Sequence, residues 1–525
     1  MKRLTLIFIL LFASSLFSQQ TNTTTSDNDI SDQNDQRVGS SPISTMEQNT
    51  GGSGFGMGAA IGAVVVDGQI YNQIGVRPEL SFGKFGMMLD LSLYIDGEGN
   101  IASQYWDSPQ DILEKIYYLR WGRKGDPFYI KVGAIDNYRL GFGILMNRYA
   151  NTIQYPSVIR VGGTMGFKAG NFGMDVFVNN INETFDKGGL FAGRVSYDIV
   201  GKLQIGVSAV YDRNQYKGLR DKDGDGVPDE VDDFPKDAGY AIDTDGDGVP
   251  DSQDPDRDGN GYTDNSQDPN IADNDVYFAD SLLKKVPINT NTAPNKDQIA
   301  MAVDISYPVV QNKGLSLILY SQAAKFGNDG GYGFTAPGVW AKFLFMEFYG
   351  EYRIFQEKFM PEYFNTTYEV DRAMFITDST GAIIPTTKRD LLMKIDQTAR
   401  GYVVGANFDI GSFLIFGAEY QNMTFKSTVG NNIKHLNTIR GNLDINTSMI
   451  PKINRAGAYY YQNQVKTLFE LSPGTITGVQ IEYELAPGAA IVLDYRQTYW
   501  DKNGDGKVTS TESDKTTIIQ TVFRF

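Results

Sequence analysis

The chain has 525 residues, 63 acidic against 47 basic, with a formal net charge of −16, no cysteine and one histidine. The absence of cysteine excludes disulfides, thiolate catalysis, zinc thiolate sites and a lipid-modified cysteine, and so acidic a chain is a poor partner for nucleic acid. Mean hydropathy is only −0.30 although 41% of the residues are hydrophobic, as happens when apolar side chains are diluted at every second position.

The start, MKRLTLIFILLFASSLFSQQ, has two basic residues, an apolar run from Leu4 to Phe12 and then small residues. This is the pattern of a Sec-type signal peptide, assigned to residues 1–18, and the run is too short for a spanning helix, which needs roughly 20 apolar residues. Cleavage after Ser15, with Ala13 before it, and after Ser18, with Leu16, are both open. Residues 19–53 are rich in Asn, Thr, Ser, Asp and Gln and cannot bury a core, so they are expected to be a disordered lead-in, too short to fold as a plug domain.

From Gly54 onward alternating runs recur, joined in turn by short and long connections. In GMMLDLSLYID, Met87, Leu89, Leu91, Leu93 and Ile95 alternate with Met88, Asp90, Ser92 and Tyr94; LQIGVSAVY sets Leu203, Ile205, Val207 and Ala209 against Gln204, Gly206 and Ser208. Period two is the signature of strands with one greasy and one wet face. Short turns are expected near Gly83, Arg123, Gly170, Gly201, Asn312, Val339, Gly411 and Pro487. Residues 54–213 and 298–525 are therefore read as the two parts of one antiparallel barrel, since bacterial barrels pair short turns on one side with long loops on the other. The expected fold is all-β: a transmembrane up-and-down β-barrel of about 18 strands, 16 to 20, an even number with both ends on one side. The alternation is weakest over Gly97–Gly122 and Gly430–Pro473. A secreted soluble all-β protein is the competing reading, although turn asymmetry is not demanded there.

Residues 214–297 differ in composition and read as an inserted outer module. Between Asp221 and Asp275 there are 19 acidic and 3 basic residues, a difference that equals the net charge of the whole chain. The acidity is spaced. DKDGDGVPD places carboxylates at Asp221, Asp223, Asp225 and Asp229, DTDGDGVPD at Asp243, Asp245, Asp247 and Asp251, and DRDGNGYTD supplies Asp256, Asp258, Asn260 and Asp264. Calcium takes six to eight oxygens, which alternate residues of a coiled loop supply. Gly226, Gly248 and Gly261 permit the sharp turn, the carbonyls of Val227, Val249 and Tyr262 would be backbone ligands, and Asp232 and Asp254 fall at the twelfth position. These units resemble thrombospondin type 3 repeats over Asp221–Asp268, which implies a calcium-ordered module. They depart from that family at Asp233, Phe234 and Pro235, where its cysteine would stand. A charged solvated spacer is the plainer alternative.

Past residue 298 the alternation resumes. LFMEFYGEYRI sets Leu344, Met346, Phe348, Tyr352 and Ile354 against Glu347, Glu351 and Arg353, and GVQIEYEL sets Gln480, Glu482 and Glu484 against Val479, Ile481 and Leu485. The last outer loop, DKNGDGKVTSTE, resembles the calcium loop of an EF-hand, with Asp501, Asn503, Asp505, the backbone of Lys507, Thr509 and Glu512 in ligand positions around the turn glycine Gly506. Both flanks read as strands, so only the loop resemblance carries over. The final run TTIIQTVFRF puts Ile519, Phe523 and Phe525 on one face and Gln520 and Arg524 on the other, and resembles the closing strand of Gram-negative outer-membrane barrels. That resemblance implies an outer-membrane location in a Gram-negative bacterium, with membrane lipid as neighbour.

Two functions fit. The first is a porin-like channel for small solutes, whose wet lumen would be lined by residues such as Asp90, Lys131, Asp304, Glu347, Arg353 and Arg496; a barrel of this size without a plug leaves an aqueous path. Within it Asp136–Pro156, containing LGFGILMNRYANTIQYP, is expected to fold inward and bring Arg139 and Arg148 to a constriction. The second is a calcium-stabilised surface scaffold or adhesin held by the barrel, its partner unspecified. Enzymatic readings lack parts: the sole histidine, His435, lies in the polar stretch NNIKHLNTIR with no nucleophile motif beside it. No enzyme activity and no cofactor other than Ca2+ are expected.

Overall fold

Successive side chains of a strand point to opposite faces, so a run that is apolar at every second position commits one whole face to an apolar neighbour. In the computed structural model of the protein the described residues are 54–66, 69–106, 108–185, 187–199, 202–257, 259, 261, 263, 288–294, 296–312, 314–327, 330–377, 383–410, 413–427, 433–446, 450–499, 508–510 and 512–524. The expected signal peptide and lead-in lie outside them.

The alternating runs become β1 (Gly54–Val66), β2 (Gln69–Phe82), β3 (Phe85–Leu89), β4 (Leu91–Ile95), β5 (Ile116–Trp121), β6 (Phe128–Gly133), β7 (Gly162–Ala169), β8 (Phe172–Val178), β9 (Leu190–Asp198) and β10 (Gln204–Asp212). After the acidic module come β11 (Gln298–Gln311), β12 (Leu315–Phe326), β13 (Tyr332–Phe343) and β14 (Met346–Phe355), then a small hairpin, β15 (Ala373–Thr377) with β16 (Ile383–Thr387). The chain finishes with β17 (Gln397–Ile410), β18 (Leu414–Ser427), β19 (Ile433–Asn446), β20 (Ile453–Val465), β21 (Ile476–Ala486), β22 (Ala489–Tyr499) and β23 (Ser513–Arg524).

Apart from the β15–β16 hairpin, each strand pairs antiparallel with its neighbours, β2 taking both β3 and β4, which are two halves of one crossing broken at Asp90. β1 also pairs with β23, from Gly58 opposite Arg524 to Val64 opposite Ile518, and this closes a barrel of 20 crossings. Closure pairs the first strand with the last, so among the described strands of the barrel only β4, above the short β5, keeps an unpaired edge. At this seam the backbones run so close that a Cβ on Gly62 would meet the Ile519 carbonyl oxygen at 1.9 Å.

The expected fold class is the observed one, and the count of about 18 falls two short within its stated range. β19 and β20 lie in the weakly alternating Gly430–Pro473 stretch, where His435, Asn437, Gly441, Ala456 and Ala458 interrupt the large apolar groups at outward positions. The turn expected near Val339 is a correction: Val339 sits inside β13, and the chain reverses at residues 344–345. The alternation of FLFM runs straight through that turn, so Leu344, taken for a strand residue, is held at φ +54 in the reversal itself.

The outside is apolar, with Val207 54% and Val303 50% exposed. Inside, Asp304, Arg194, Glu347 and Arg353 are all buried. Crossings differ in height. β5 and β6 have six residues, β8 seven and β7 eight, whereas β17, β18 and β19 have 14 each. Above the short β5 the open edge of β4 is covered by the following segment, through Ala102 N–H to the Tyr94 carbonyl (2.9 Å) and the Trp106 indole to the Ser92 carbonyl (3.3 Å). A short helix, Pro109–Glu114, follows, capped reciprocally by Ser108 and Asp111, with Ile112 exposed.

The main hydrophobic core lies inside the barrel. Residues 134–161, between β6 and β7, and residues 356–377 and 383–396, between β14 and β17, fold into the lumen and pack together through Leu145, Met146 and Tyr149 against Tyr363, Phe364 and Tyr368. Their backbones pair as well: Phe364 N–H donates to the Leu145 carbonyl (3.1 Å) and Asn147 N–H to the Phe364 carbonyl (3.1 Å). Burying side chains of this size stabilises by about 1.5–3 kcal/mol each.

Candidate functional site: a filled lumen and an acidic loop

A charged group facing a closed lumen must be solvated by water or by other protein groups, because burial without a partner costs several kcal/mol. Protein supplies the partners here. Arg148 bonds Glu419 of β18 (2.7 Å) and the Tyr349 hydroxyl of β14 (2.8 Å). Asp90 accepts from Arg77 (3.1 Å) and from the Tyr155 hydroxyl, while Arg496 of β22 reaches the Tyr155 carbonyl (2.7 Å). Phe142 stacks on Tyr320 at 4.1 Å, and Arg139 lies over Trp340 at 5.4 Å. The inward loop thus touches strands from several sides of the lumen.

A second cluster joins the loops to one another. Arg372, fully buried, lies 2.9 Å from Glu183, 3.4 Å from Glu369 and 3.7 Å from Asp212, and Arg160 lies 3.0 Å from Glu369. Tyr149 donates to Glu369, Tyr368 donates to Asp212 (2.7 Å), and Asn179 donates to Glu369 (3.1 Å).

The expected wide, water-lined lumen is corrected at these positions. Glu351 is buried and bonded by Arg353 (3.0 Å), Tyr320 (2.8 Å) and Thr335 (3.1 Å), and Glu347 accepts from Asn407 (3.2 Å). Strand alternation fixes which residues point inward but does not show that long connections return to meet them. Residues 134–161 do fold in as expected. The part played by 356–396 was missed, although its KFMPEYF carries a concentration of aromatic residues that a solvated connection would not need.

In the acidic module the spacing produces repeated geometry. Asp221 accepts from the amides of Gly224 (2.8 Å) and Gly226 (2.8 Å), and Asp243 accepts from Gly246 (2.8 Å) and Gly248 (2.9 Å). Asp225 takes the Val227 amide (2.6 Å), and Asp247 takes that of Val249 (2.7 Å). Gly226 and Gly248 adopt φ of +100 and +91, values that L side chains rarely adopt. The third unit repeats one contact, Gly261 N–H to Asp256 (2.9 Å). Carboxylate oxygens of Asp221, Asp223 and Asp225 come within 4.8 Å of one another, as do those of Asp243, Asp245 and Asp247. That is the span of two oxygens about 2.3–2.6 Å from a shared centre.

Asp229 and Asp251 turn to the backbone of their own loops, accepting from Lys222 and Thr244 (2.8 Å each), and Asp254 accepts from the Asp256 amide (2.8 Å). Asp232 is buried, and one of its carboxylate oxygens, like one of Asp223, has no hydrogen-bond partner. Burial first, then the carboxylates of Asp223, Asp225 and Asp229, pushes Asp232 up to about 6. Burial also raises Asp221 and Asp229 above the usual carboxylate range. The converging carboxylates of Asp221, Asp223 and Asp225, with an unpartnered oxygen on Asp223, are hard oxygen donors of the type a divalent cation takes. Asp258, Asn260, Tyr262, Asp264, Asp501, Asn503, Asp505 and Lys507 lie outside the described residues. Glu512 accepts from the Thr509 amide and hydroxyl (2.9 Å each).

Fold and interior together define a class: a closed antiparallel barrel filled by its own loops. No family model matches the chain, and no curated protein matches it. Among solved structures it is similar to a mutant of the ferric enterobactin receptor PfeA from Pseudomonas aeruginosa, with 8% identity over 90% of this chain and 81% of that one and a TM-score of 0.37. It is also similar to the siderophore receptor PirA from Acinetobacter baumannii (7%, 90% and 81%, TM-score 0.36) and to a variant of OccD1 (OprD) (8%, 90% and 96%, TM-score 0.31). At these scores the likenesses say nothing about cargo.

Proposed function

We propose that the protein is an outer-membrane channel of a Gram-negative bacterium, passing small solutes through a lumen that its inward loops narrow, with calcium ordering the acidic outer module. The observation that carries this reading is the arrangement of Arg139 and Arg148 on an inward loop, facing a charged inner wall within a closed barrel whose outer face is apolar. On this assignment the tight turns face the periplasm and the long connections face outward. Small ions and polar solutes would pass beside the paired charges, and opening would require residues 134–161 or 356–396 to shift. No catalytic step belongs to this function. Single-channel recording from the purified protein in a planar bilayer tests it: discrete conductance steps are expected, and a silent barrel shown to be inserted would overturn it.

A second reading, a calcium-stiffened scaffold or adhesin on a barrel anchor, is favoured by the 22-residue recurrence of the same loop geometry from Asp221 to Asp243. Calcium-dependent attachment of cells carrying the full chain, abolished by Asp223→Ala with Asp245→Ala, would support it. Attachment indifferent to both calcium and substitution would remove it.

A further inference from the structure

Outward positions of β17, β18 and β19 fall into cross-strand rows. Ala406, Ala418 and Gly441 form one row, with Val404, Tyr420 and Ile439 above it and Phe408, Phe416 and Leu443 below. Three minimal side chains between two rows of large ones leave an open pit of about 590 Å³ on the outside of the barrel, within the range of about 300–1,000 Å³ of small-molecule sites. Phe348 closes one end, and Tyr460 with Phe469 closes the other. Phe469 belongs to the connection after β20 and is held there deliberately. Its φ is +66, its amide donates to Gln462 (2.8 Å), and its ring lies 5.6 Å from that of Tyr460.

The same face changes character toward the long connections. The next row is Tyr402, Asn422 and Asn437, and the one beyond is Arg400, Thr424 and His435, with Lys426 following. The Tyr420 hydroxyl and the Asn422 amide both donate to Asn437 (2.8 Å each), and Thr424 bonds His435 (3.1 Å). No outward position of these three strands is acidic.

From Ala418 to Thr424 the chain climbs six residues, about 20 Å along a strand and about 15 Å along the barrel axis at the usual tilt. That is about half the thickness of a bilayer's hydrocarbon core. The pit therefore lies at acyl-chain depth when the cationic row lies at headgroup depth.

We propose that this face binds one anionic, phosphate-bearing lipid of the surrounding membrane, with an acyl chain in the pit and its phosphate against Arg400, Lys426 and His435. The proposal rests on the reading of the barrel as membrane-embedded. The test reconstitutes the full chain and measures its retention of phosphatidylglycerol against phosphatidylcholine by native mass spectrometry. Ala418→Leu puts a branched side chain into the middle row of the pit, and Arg400→Gln with Lys426→Gln removes charge. The wild type is expected to keep one phosphatidylglycerol with at least tenfold preference, Ala418→Leu to lose retention, and the charge variant to lose the preference alone. All variants should keep the heat-dependent gel shift of a folded barrel. Retention that ignores the headgroup, or that survives in both variants, overturns the proposal. An inserted barrel without bound lipid overturns this inference alone, whereas a chain that does not insert into vesicles overturns the membrane reading with it.

Discussion

Arg148→Ala is the sharpest probe of the filled lumen. Arg148 and Glu419 are both 6% exposed with 2.7 Å between charged atoms, so truncating the arginine leaves a buried carboxylate whose next cation, Arg440, is 4.0 Å away. Removing one partner of a buried pair costs about 3–5 kcal/mol. Arg440 is close enough to recover part of that, which places the expected loss near about 3 kcal/mol, on the order of a 100-fold rise in the open population of the loop. The loop would not be expelled, because Asn151 still ties it to the Asn179 carbonyl after β8 (2.9 Å), and Arg496 still holds Tyr155. In a planar bilayer the variant should open more often or conduct more, and Glu419→Gln added to it should recover much of the quiet state by removing the stranded charge. Deleting residues 141–151 should raise conductance further. If Arg148→Ala records like the wild type and protease cleaves residues 134–161 no faster, the loop is not a constriction and the reasoning fails.

Val207→Arg puts a charge on the outward face of β10 and should cost about 2–4 kcal/mol near the bilayer midplane, measured by denaturant titration in vesicles; unchanged stability would refute the strand orientation. Gly62→Val should prevent closure, because even a Cβ collides with the Ile519 backbone, whereas Gly56→Val, whose nearest neighbour is 4.0 Å away, should keep the gel shift of a closed barrel. Calcium at millimolar concentration should protect residues 221–257 from protease, with Asp223→Ala and Asp245→Ala together abolishing the protection and Lys222→Ala preserving it. Asp232 must lose its proton to bind a cation, and its carboxyl is raised to about 6. Its raised value favours the cation-free loop at low pH and is lost as a stabiliser as pH rises through about 6. Calcium affinity should accordingly be about tenfold weaker at pH 5 than at pH 7.5 by calorimetry, and a pH-independent affinity would remove Asp232 from the site.

Period-two alternation made the barrel legible because most strands carry one apolar and one polar face, as Ile205 and Val207 stand opposite Gln204 and Ser208. It failed where an outward row is polar, at His435 and Asn437, and where apolar residues continue through a reversal, at Leu344. Of the spaced aspartates, Asp221, Asp223 and Asp225 converge, as do Asp243, Asp245 and Asp247, because coiling by Gly226 and Gly248 is a local matter, whereas Asp229 and Asp251, expected beside them, turn to the backbone of their own loops. The partners of Glu351 and Glu419 were not legible, because they depend on distant connections returning into the lumen, and strand periodicity says nothing about a loop's destination.

The low flank formed by β5 to β8 has a mechanical consequence. Six residues give about 20 Å of strand, about 15 Å of height once tilted, against an apolar band of about 25 Å around such barrels. In the membrane proposed above, a bilayer meeting a flank this low would thin beside it, and each ångström of mismatch carries an elastic cost. The segment between β4 and β5 adds the exposed apolar side chains of Ile101, Trp106, Ile112 and Leu113 beside this flank. Two barrels that turned these flanks toward each other there would share one thinned patch of bilayer instead of maintaining two, and lipid in that patch would have a shorter path between the leaflets than along the taller flank of β17 to β19.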